Sequence, residues 1–458
     1  MRTSSTSNTP LASNRPVRYP GIGRNGSAQD DRRERDFDLL PVMPVLDYLH
    51  AELGGLHESV RSLFGLQHLF GSTTSLIHRI TEGRIDPSEV FLLGKPYSAN
   101  RRVMEFQREE LGFWVHPKSC DQPLGKDNDG EMDGRVEQVL DSIRGRLKAR
   151  HDGDGRVLLI DDGGRAIRML HTDRYADIRD RFTCVEQTRC GIRTIEDLTL
   201  RISVINVAES WVKLDHESPM IADSVIHELC KKLRAMDSAG IPTGNRALII
   251  GFGTIGRAVG AALRGRGRDV AIYDTQESQR RLAKRDGYSL YDDLHSALRR
   301  GGLIIGCTGK PVLDHADYTR IREGTILISA SSADVEFRAW QLRTDAECLG
   351  KPEGWDMADG DRPSDLESDP NRNHPCFSLY RVSSGRRRFY LINGGFPVNF
   401  DGGVDPIVPE KIQLTRSLLY LGALQASYSQ QPGLHDLDGR LQRMLLDAFT
   451  AASERQAA

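Results

Sequence analysis

Short, continuously apolar runs alternate along most of the chain with segments of helical apolar period, and this alternation sets the expected architecture. EVFLLG at 89–94, RVLLIDDGG at 156–164 and RISVINVAES at 201–210 each centre on about five apolar residues, the mark of parallel strands buried on both faces. Farther on, the helical segment DSVIHELCKKLRAM and the Gly/Pro break SAGIPTGN lead into four more such runs, RALIIGFG, DVAIYD, LIIGCTG and TILISA. Towards the front, LLPVMPVLDYLHAELGGLHESV predicts an opening helix after a proline-rich entry, followed by a second helical stretch containing SLIHRI. Near the end, RRRFYLING resumes strand character, and PEKIQLTRSLLYLGALQAS predicts an amphipathic helix with a proline near its start. Parallel sheets of this kind bind ligands beyond the C-terminal ends of their strands. Asp161, Asp162 and Asn206 fall at such ends.

At 458 residues the chain exceeds the roughly 250–300 residues at which a single core stops growing. The expected class is therefore α/β with two domains. The Ser-, Asn- and charge-rich residues 1–36 read as a flexible arm. An Asp- and Pro-rich surface excursion is expected at 345–376. The 62 basic and 64 acidic residues leave a formal charge of −2, so no global field favours nucleic acid or an acidic membrane, and a small-molecule substrate is the expected partner. Seven cysteines without CxxC spacing argue against a disulfide framework or a zinc ribbon. With no apolar run near the roughly 20 residues that span a bilayer and no apolar leader at the N-terminus, a cytoplasmic protein is expected.

Gly251, Gly253 and Gly256 form GxGxxG between the run ALII and a helical segment. The first glycine permits a tight turn, the second lets the backbone approach a pyrophosphate, and the third lets the helix pack on the strand. The next run ends in Asp274, at the distance from the loop where a carboxylate can accept from a ribose 2′-hydroxyl and repel a 2′-phosphate. Together these predict a Rossmann-type domain that holds NAD rather than NADP. A glycine-rich turn with no cofactor, or a methyltransferase-type site, is the alternative reading of the same residues.

Over roughly residues 60–425 the chain resembles the S-adenosylhomocysteine hydrolase family. Beside GFGTIGRAVGAALRGRG, the resemblance rests on LIDDGG at 159–164, VEQTRCG at 185–191, INVAESWVK at 205–213 and FPVNFDGG at 396–403. It implies an α/β fold of two domains, in which a Rossmann NAD-binding domain at 221–390 is inserted in a larger parallel-sheet substrate domain built from 37–220 and a C-terminal return at 391–458, and it implies a homo-oligomer. It also implies NAD as a recycling oxidant, which makes a ketone at a ribose 3′-position, acidifies the neighbouring C–H and permits elimination. Cofactor-side residues by this resemblance are Thr254, Ile255, Thr188, Thr308 and Asn399, beside the three glycines and Asp274.

The resemblance assigns Lys213 as catalytic lysine, Asp162 as catalytic aspartate and His68 as the N-terminal histidine, with Glu217 or His216 near a second carboxylate position. Read from the residues alone, Lys213 is also an ordinary solvated lysine, Asp162 part of a DDGG turn and His68 a helix histidine. Several of the family's groups are replaced. Gln187 stands for the glutamate that grips the ribose, with Arg189 and Cys190 in place of threonines. Phe70 and Ser72 stand for a threonine and a glutamate beside the adenine, Ser332 for a histidine, and Asp405 is nearest a lost GHP histidine. These replacements fall on adenosine recognition. Three readings stay open: an NAD-dependent enzyme oxidising a secondary alcohol on another small substrate, a genuine adenosylhomocysteinase with an altered pocket, and a non-catalytic NAD-binding protein.

Overall fold

Runs of Val, Ile, Leu and Phe that are apolar on both faces can be buried only in the middle layer of a sandwich, and the chain builds two such sheets. The computed structural model describes residues 39–125, 128–149, 155–355 and 374–457. The expected arm at 1–36, and most of the expected excursion at 345–376, lie outside the described residues.

The strands in chain order are β1 (Val60–Gln67), β2 (Val90–Gly94), β3 (Trp114–Val115), β4 (Arg156–Asp161), β5 (Phe182–Glu186) and β6 (Ser203–Asn206). They continue with β7 (Arg246–Ile250), β8 (Asp269–Tyr273), β9 (Ser289–Leu290), β10 (Leu303–Gly306), β11 (Ile326–Ser329), β12 (Glu347–Gly350), β13 (Leu379–Ser384), β14 (Arg387–Leu391) and β15 (Gly433–Asp436). The first sheet has the order β15-β6-β5-β4-β1-β2-β3 and is parallel throughout. The second has the order β12-β13-β14-β11-β10-β7-β8-β9, and only its β12-β13-β14 edge is antiparallel. Read from β9 to β14, with the edge strands β12 and β13 left out of the count, it runs third, second, first, fourth, fifth, sixth, the doubly wound order whose reversal lies beside β7. The expected α/β class, with a Rossmann-type unit set into a larger parallel-sheet unit, is what these strands form. The chain leaves the first sheet after β6 through the helix Ser218–Ser238, builds the second, and returns through the helix Pro409–Tyr428 to add β15.

Three local expectations change. The opening helix ends at Leu53, and Val60–Gln67 becomes an inner strand of the first sheet, between β4 and β2. Its buried polar residues hid it: Ser62 donates to Glu89 Oε2 at 2.9 Å and Gln67 Nε2 donates to the Ile160 carbonyl at 3.3 Å. Within the expected excursion, Glu347–Gly350 pairs with β13 as an edge strand. The helix Pro409–Tyr428 is buried almost all round rather than on one stripe, because it lies between the first sheet and the helices Pro44–Leu53, Gly71–Thr81 and Gly439–Ala457. Among the described residues, no helix is long and apolar enough to cross a membrane.

At the β7 turn Gly251 has φ +94°, a conformation that favours glycine. A Cβ at Gly256 would lie 1.9 Å from the Gly251 carbonyl oxygen, whereas one at Gly253 would meet nothing within 4 Å. Gly256→Ala is therefore expected to lose roughly 2–3 kcal/mol in urea denaturation, the range for overpacking a tight contact. Gly253→Ala should stay within about 1 kcal/mol of the parent; equal losses in the two variants would contradict this packing.

Candidate functional site

Four neighbouring strands of the first sheet, β2, β1, β4 and β5, each deliver the residue that follows them to one point. Those residues are Lys95, His68, Asp162 and Gln187. The point is where the winding reverses, since the chain proceeds from β1 outward through β2 on one side and from β4 outward through β5 on the other. His68 Nε2 lies 3.3 Å from Asp162 Oδ2, Lys95 Nζ pairs with Asp162 Oδ1, and Gln187 Nε2 donates to Asp162 Oδ2. Burial alone would raise the Asp162 pKa, but the Lys95 ammonium and His68 hold it far below the usual carboxylate range. Burial pulls Lys95 down, and the charge of Asp162 more than reverses this, so the ammonium stays protonated. Burial outweighs Asp162 at His68, whose pKa is lowered. A neutral ring satisfies both its neighbours when the Ser98 hydroxyl donates to Nδ1 and Nε2–H faces Asp162.

Lys213 and Glu217 lie beyond the end of β6, at the two ends of a π-helical turn. Lys213 Nζ is 2.7 Å from Glu217 Oε2, and the Thr415 hydroxyl donates to Glu217 Oε1 at 2.9 Å. His216 faces solvent, so Glu217 is the carboxylate at Lys213. The next residue on the Thr415 helix is the buried Arg416, whose Nε donates to Ser72 Oγ at 3.1 Å. Ser72 in turn donates to Asp405, from its amide at 2.9 Å and from its hydroxyl at 2.5 Å. Asp405 thereby caps the helix Gly71–Thr81, whose preceding residue, Phe70, has no capping side chain. Burial lowers the Arg416 pKa against the pull of Asp405, Glu217 and Asp162. Above this polar floor, His68 stacks on Phe70 with ring centres 5.7 Å apart, Phe400 lies 5.3 Å from His68, and Tyr97 stacks on Phe396 at 5.6 Å. The Tyr97 hydroxyl lies against the Ser332 side chain and the Ala333 backbone, where the first sheet's loops meet the second's.

Beneath Asp162 lie two further acids, Asp161 and Glu186, opposite each other in the β4–β5 register and fully buried. Glu186 Oε1 accepts from the Thr188 amide and hydroxyl, both at 2.7 Å, and Asp161 Oδ2 accepts from the Ile167 amide at 2.9 Å. Each acid has one oxygen with no hydrogen-bond partner. Burial pushes the Asp161 carboxyl up to about 6 and Glu186 well above its ordinary value, with Asp161 and Asp162 adding to the shift. Thr188 also accepts from the Gly191 amide, so its hydroxyl is engaged within the first sheet's loops.

On the second sheet, Gly253 and Thr254 are exposed at the start of the helix Thr254–Gly265, whose N-terminus has no side-chain cap, and Ile255 is half-buried beside them. Open space at Gly253 over free first-turn amides fits a pyrophosphate. Asp274 accepts from the Phe252 amide at 2.6 Å and from the Gln276 amide at 2.7 Å, so it also anchors the glycine loop. Thr308 borders Gly251 and bonds the buried Glu336, which accepts from the Thr308 hydroxyl and the Gly309 amide, both at 3.0 Å. Asn399 is buried just after the point where Pro397 bridges β11. Arg189 and Cys190 are exposed. Sequence reasoning missed Lys95, Ser98, Glu336 and Arg416. The available signals were the position of Lys95 directly after an apolar run, as for Asp162, and an arginine inside the apolar stretch LTRSLLYLG.

No protein-family model matches the chain. An uncharacterized protein of Mycobacterium tuberculosis is 32% identical over 368 residues, covering 80% of this chain and 64% of that protein. The adenosylhomocysteinase of Pyrococcus abyssi is 22% identical over 52% of this chain and 51% of its own length. The chain thus spans less than two-thirds of the length of those two relatives. The S-inosyl-L-homocysteine hydrolase of Methanopyrus kandleri is 23% identical over 426 residues, 89% of this chain and 88% of that protein. Among solved structures, a dipicolinate synthase component of Bacillus halodurans matches over 61% of this chain and 85% of its own, at 9% identity and a TM-score of 0.32. The chain is a divergent relative of the adenosylhomocysteinase and S-inosylhomocysteine hydrolase sequences.

Two outcomes follow from the buried charges. Lys95→Met leaves Asp162 without its cation and should cost about 3–5 kcal/mol, the usual loss on breaking a buried pair. Adding Asp162→Asn should restore a large part of it, and additive losses in the double variant would refute the pairing. Because the folded-state pKa values of Asp161 and Glu186 are raised, the folded protein holds protons that the unfolded chain releases at lower pH. Their contribution to stability is complete below the unfolded carboxylate pKa, near 4, and declines as pH rises through about 6 and beyond. Glu186→Gln keeps the acceptor for Thr188 and does not titrate, so its stability relative to the parent should climb over that window; a flat difference would exclude the buried proton.

Proposed function

We propose that this chain is an NAD-dependent enzyme that oxidises a secondary alcohol of a small hydroxylated substrate other than S-adenosylhomocysteine, either transiently or as the net reaction. The reading rests above all on one observation: the strand ends of the first sheet hold the proton-carrying groups His68–Asp162 and Lys213–Glu217, while the second sheet offers an open glycine loop. The substrate unit in this reading is 37–220 with 391–458, and the cofactor unit is 221–390. Gly251, Gly253, Thr254, Ile255 and Gly256 would hold the pyrophosphate, Asp274 would face the adenosine ribose, and Thr308 and Asn399 would flank the nicotinamide side. When bound, the cofactor would supply a hydride acceptor.

The chain's own groups do the rest. Lys213 is placed to take a proton from the substrate hydroxyl and pass it to Glu217, held in hydrogen-bond contact by the π-turn. Asp162 stays ionised because of Lys95, and so keeps His68 oriented as a second proton carrier. Tyr97, Phe396 and Phe400 exclude water above the ring.

Against S-adenosylhomocysteine stands the fate of the replaced groups. The Gln187 amide is engaged by Asp162, and Ser72 by Asp405 and Arg416. A site whose polar groups cannot pair with a substrate's own loses heavily in binding it. A second reading draws on Arg416. Its guanidinium offers donors where the family has a glutamate acceptor beside the adenine amine, and donors suit a ring carbonyl instead. That favours a 6-oxopurine thioether, in line with the activity named for the Methanopyrus kandleri relative.

Calorimetry should show NAD binding more tightly than NADP, and Gly253→Val, which has room in the empty protein, should fold normally and lose NAD. Lys213→Met should keep NAD binding but lose reduction of the cofactor by the substrate by at least about a hundredfold, the lower range for general acid–base groups. Tighter NADP binding, or turnover of S-adenosylhomocysteine near 10 per second, a typical enzyme rate, would overturn the first reading. Turnover confined to S-inosylhomocysteine would favour the second.

A further inference from the structure

At the opposite end of the first sheet from Asp162, where β4, β5 and β6 begin, an open cleft of about 560 Å³ is lined by Arg156, Arg179, Arg201, Ser203, Ser429 and Gln430, with Asp180 at its edge. Its size lies within the range of small-molecule sites. Three guanidiniums face one carboxylate, and that carboxylate is 80% exposed, 3.6 Å from Arg179 Nε.

None of the three cations has a carboxylate in hydrogen-bond contact among the described residues. Arg156 donates to the Ser427 and Ser429 carbonyls at 2.9 and 2.8 Å, which are neutral acceptors, and burial pulls its pKa down. Arg179 is nine-tenths buried, and its Nε has no hydrogen-bond partner. Arg201 is exposed and has no ion pair among the described residues. The neighbouring histidine adds no acceptor of charge. His171 donates from Nδ1 to the Ile167 carbonyl at 2.8 Å and accepts the Arg201 amide on Nε2 at 3.1 Å, as a neutral ring does. Burial, Arg179 and Arg201 all depress its pKa. A guanidinium held this far from water without a carboxylate or other anion in hydrogen-bond contact is costly in the empty protein, and an anion in the cleft relieves the cost.

We propose that this cleft is a binding site for a phosphate-bearing anion of the pyrophosphate class, separate from the candidate catalytic site. The planar forks of Arg179 and Arg201 suit two phosphate oxygens each, and the Ser429 hydroxyl, which accepts from Ser203 at 2.7 Å, keeps its own hydrogen as a neutral donor between them. Both ends of β4, β5 and β6 are then ligand-facing, the far end through Asp162, Gln187 and Asn206.

The test is titration calorimetry of the full chain with inorganic pyrophosphate and no NAD, the arginine variants telling this cleft from the glycine loop. Saturable binding is expected, weakened at least about tenfold in Arg179→Gln and in Arg201→Gln, the loss of one charge-assisted hydrogen bond. Arg201→Lys should recover part of it, and Arg201→Gln, at an exposed position, should leave the thermal midpoint unchanged. If Arg179→Gln fails to fold, Arg201→Gln alone decides. No saturable binding by the parent, or binding of equal strength in the arginine variants, overturns the proposal, since the latter places the anion elsewhere. The result is independent of whether NAD or substrate binds as proposed above.

Discussion

A carboxylate with almost no contact with water must be surrounded by donors or it will not stay charged, and the Asp162 carboxylate meets that demand with side chains from three strands beside its own. Lys95, His68 and Gln187 each follow directly on β2, β1 and β5, as Asp162 follows on β4. Such convergence needs parallel strands in register that end at one level, with the winding reversing between β1 and β4. The sheet order is therefore a precondition of the site rather than its background. A register slip of one residue in any of the four would turn a donor to the opposite face.

The second demand is that the chain come back. Arg416 and Asp405 are brought to Ser72 across 344 and 333 residues of sequence, and they reach it because the helix Pro409–Tyr428 is packed on all sides. That same helix places Thr415 on Glu217, so the Lys213 pair and the Asp162 cluster share one support. The second sheet is tied in by Arg343 Nη2 to the Leu124 carbonyl at 3.1 Å and by Tyr97 against Ser332 and Ala333, while Asn100 holds the returning chain through the Gly402 carbonyl at 2.7 Å. The rings of Phe396 and Phe400, on that returning segment, meet those of Tyr97, His68 and Phe70.

What could be read from the sequence was local. Apolar runs, the spacing of Gly251, Gly253 and Gly256, and the DDGG and NVxxSxxK stretches carry their meaning within about ten residues. Strand β1 was illegible because Ser62 and Gln67 break its apolar run and are satisfied by Glu89 and Ile160, far along the chain. Lys95 and Arg416 were illegible for the same reason in sharper form. A charged residue reads as solvated unless its partner is known, and the partners are 67 and 344 residues away. The expected stripe on Pro409–Tyr428 failed because a helix covered from every side has no polar face to keep.

Two of the residues that replace groups of the resembled family have found partners in the fold. The Gln187 amide donates to Asp162, and Ser72 binds both Asp405 and Arg416, although the buried Gln187 carbonyl oxygen has no partner among the described residues. Stability alone does not account for the result, because a buried ion pair such as Lys95–Asp162 is on average no better than apolar side chains of the same volume. A chain under no demand but to keep its fold would have no physical reason to hold Asp162 ionised at a strand end, within the field of Arg416. That charge is what the proposed role of His68 as a proton carrier requires, because it orients the ring.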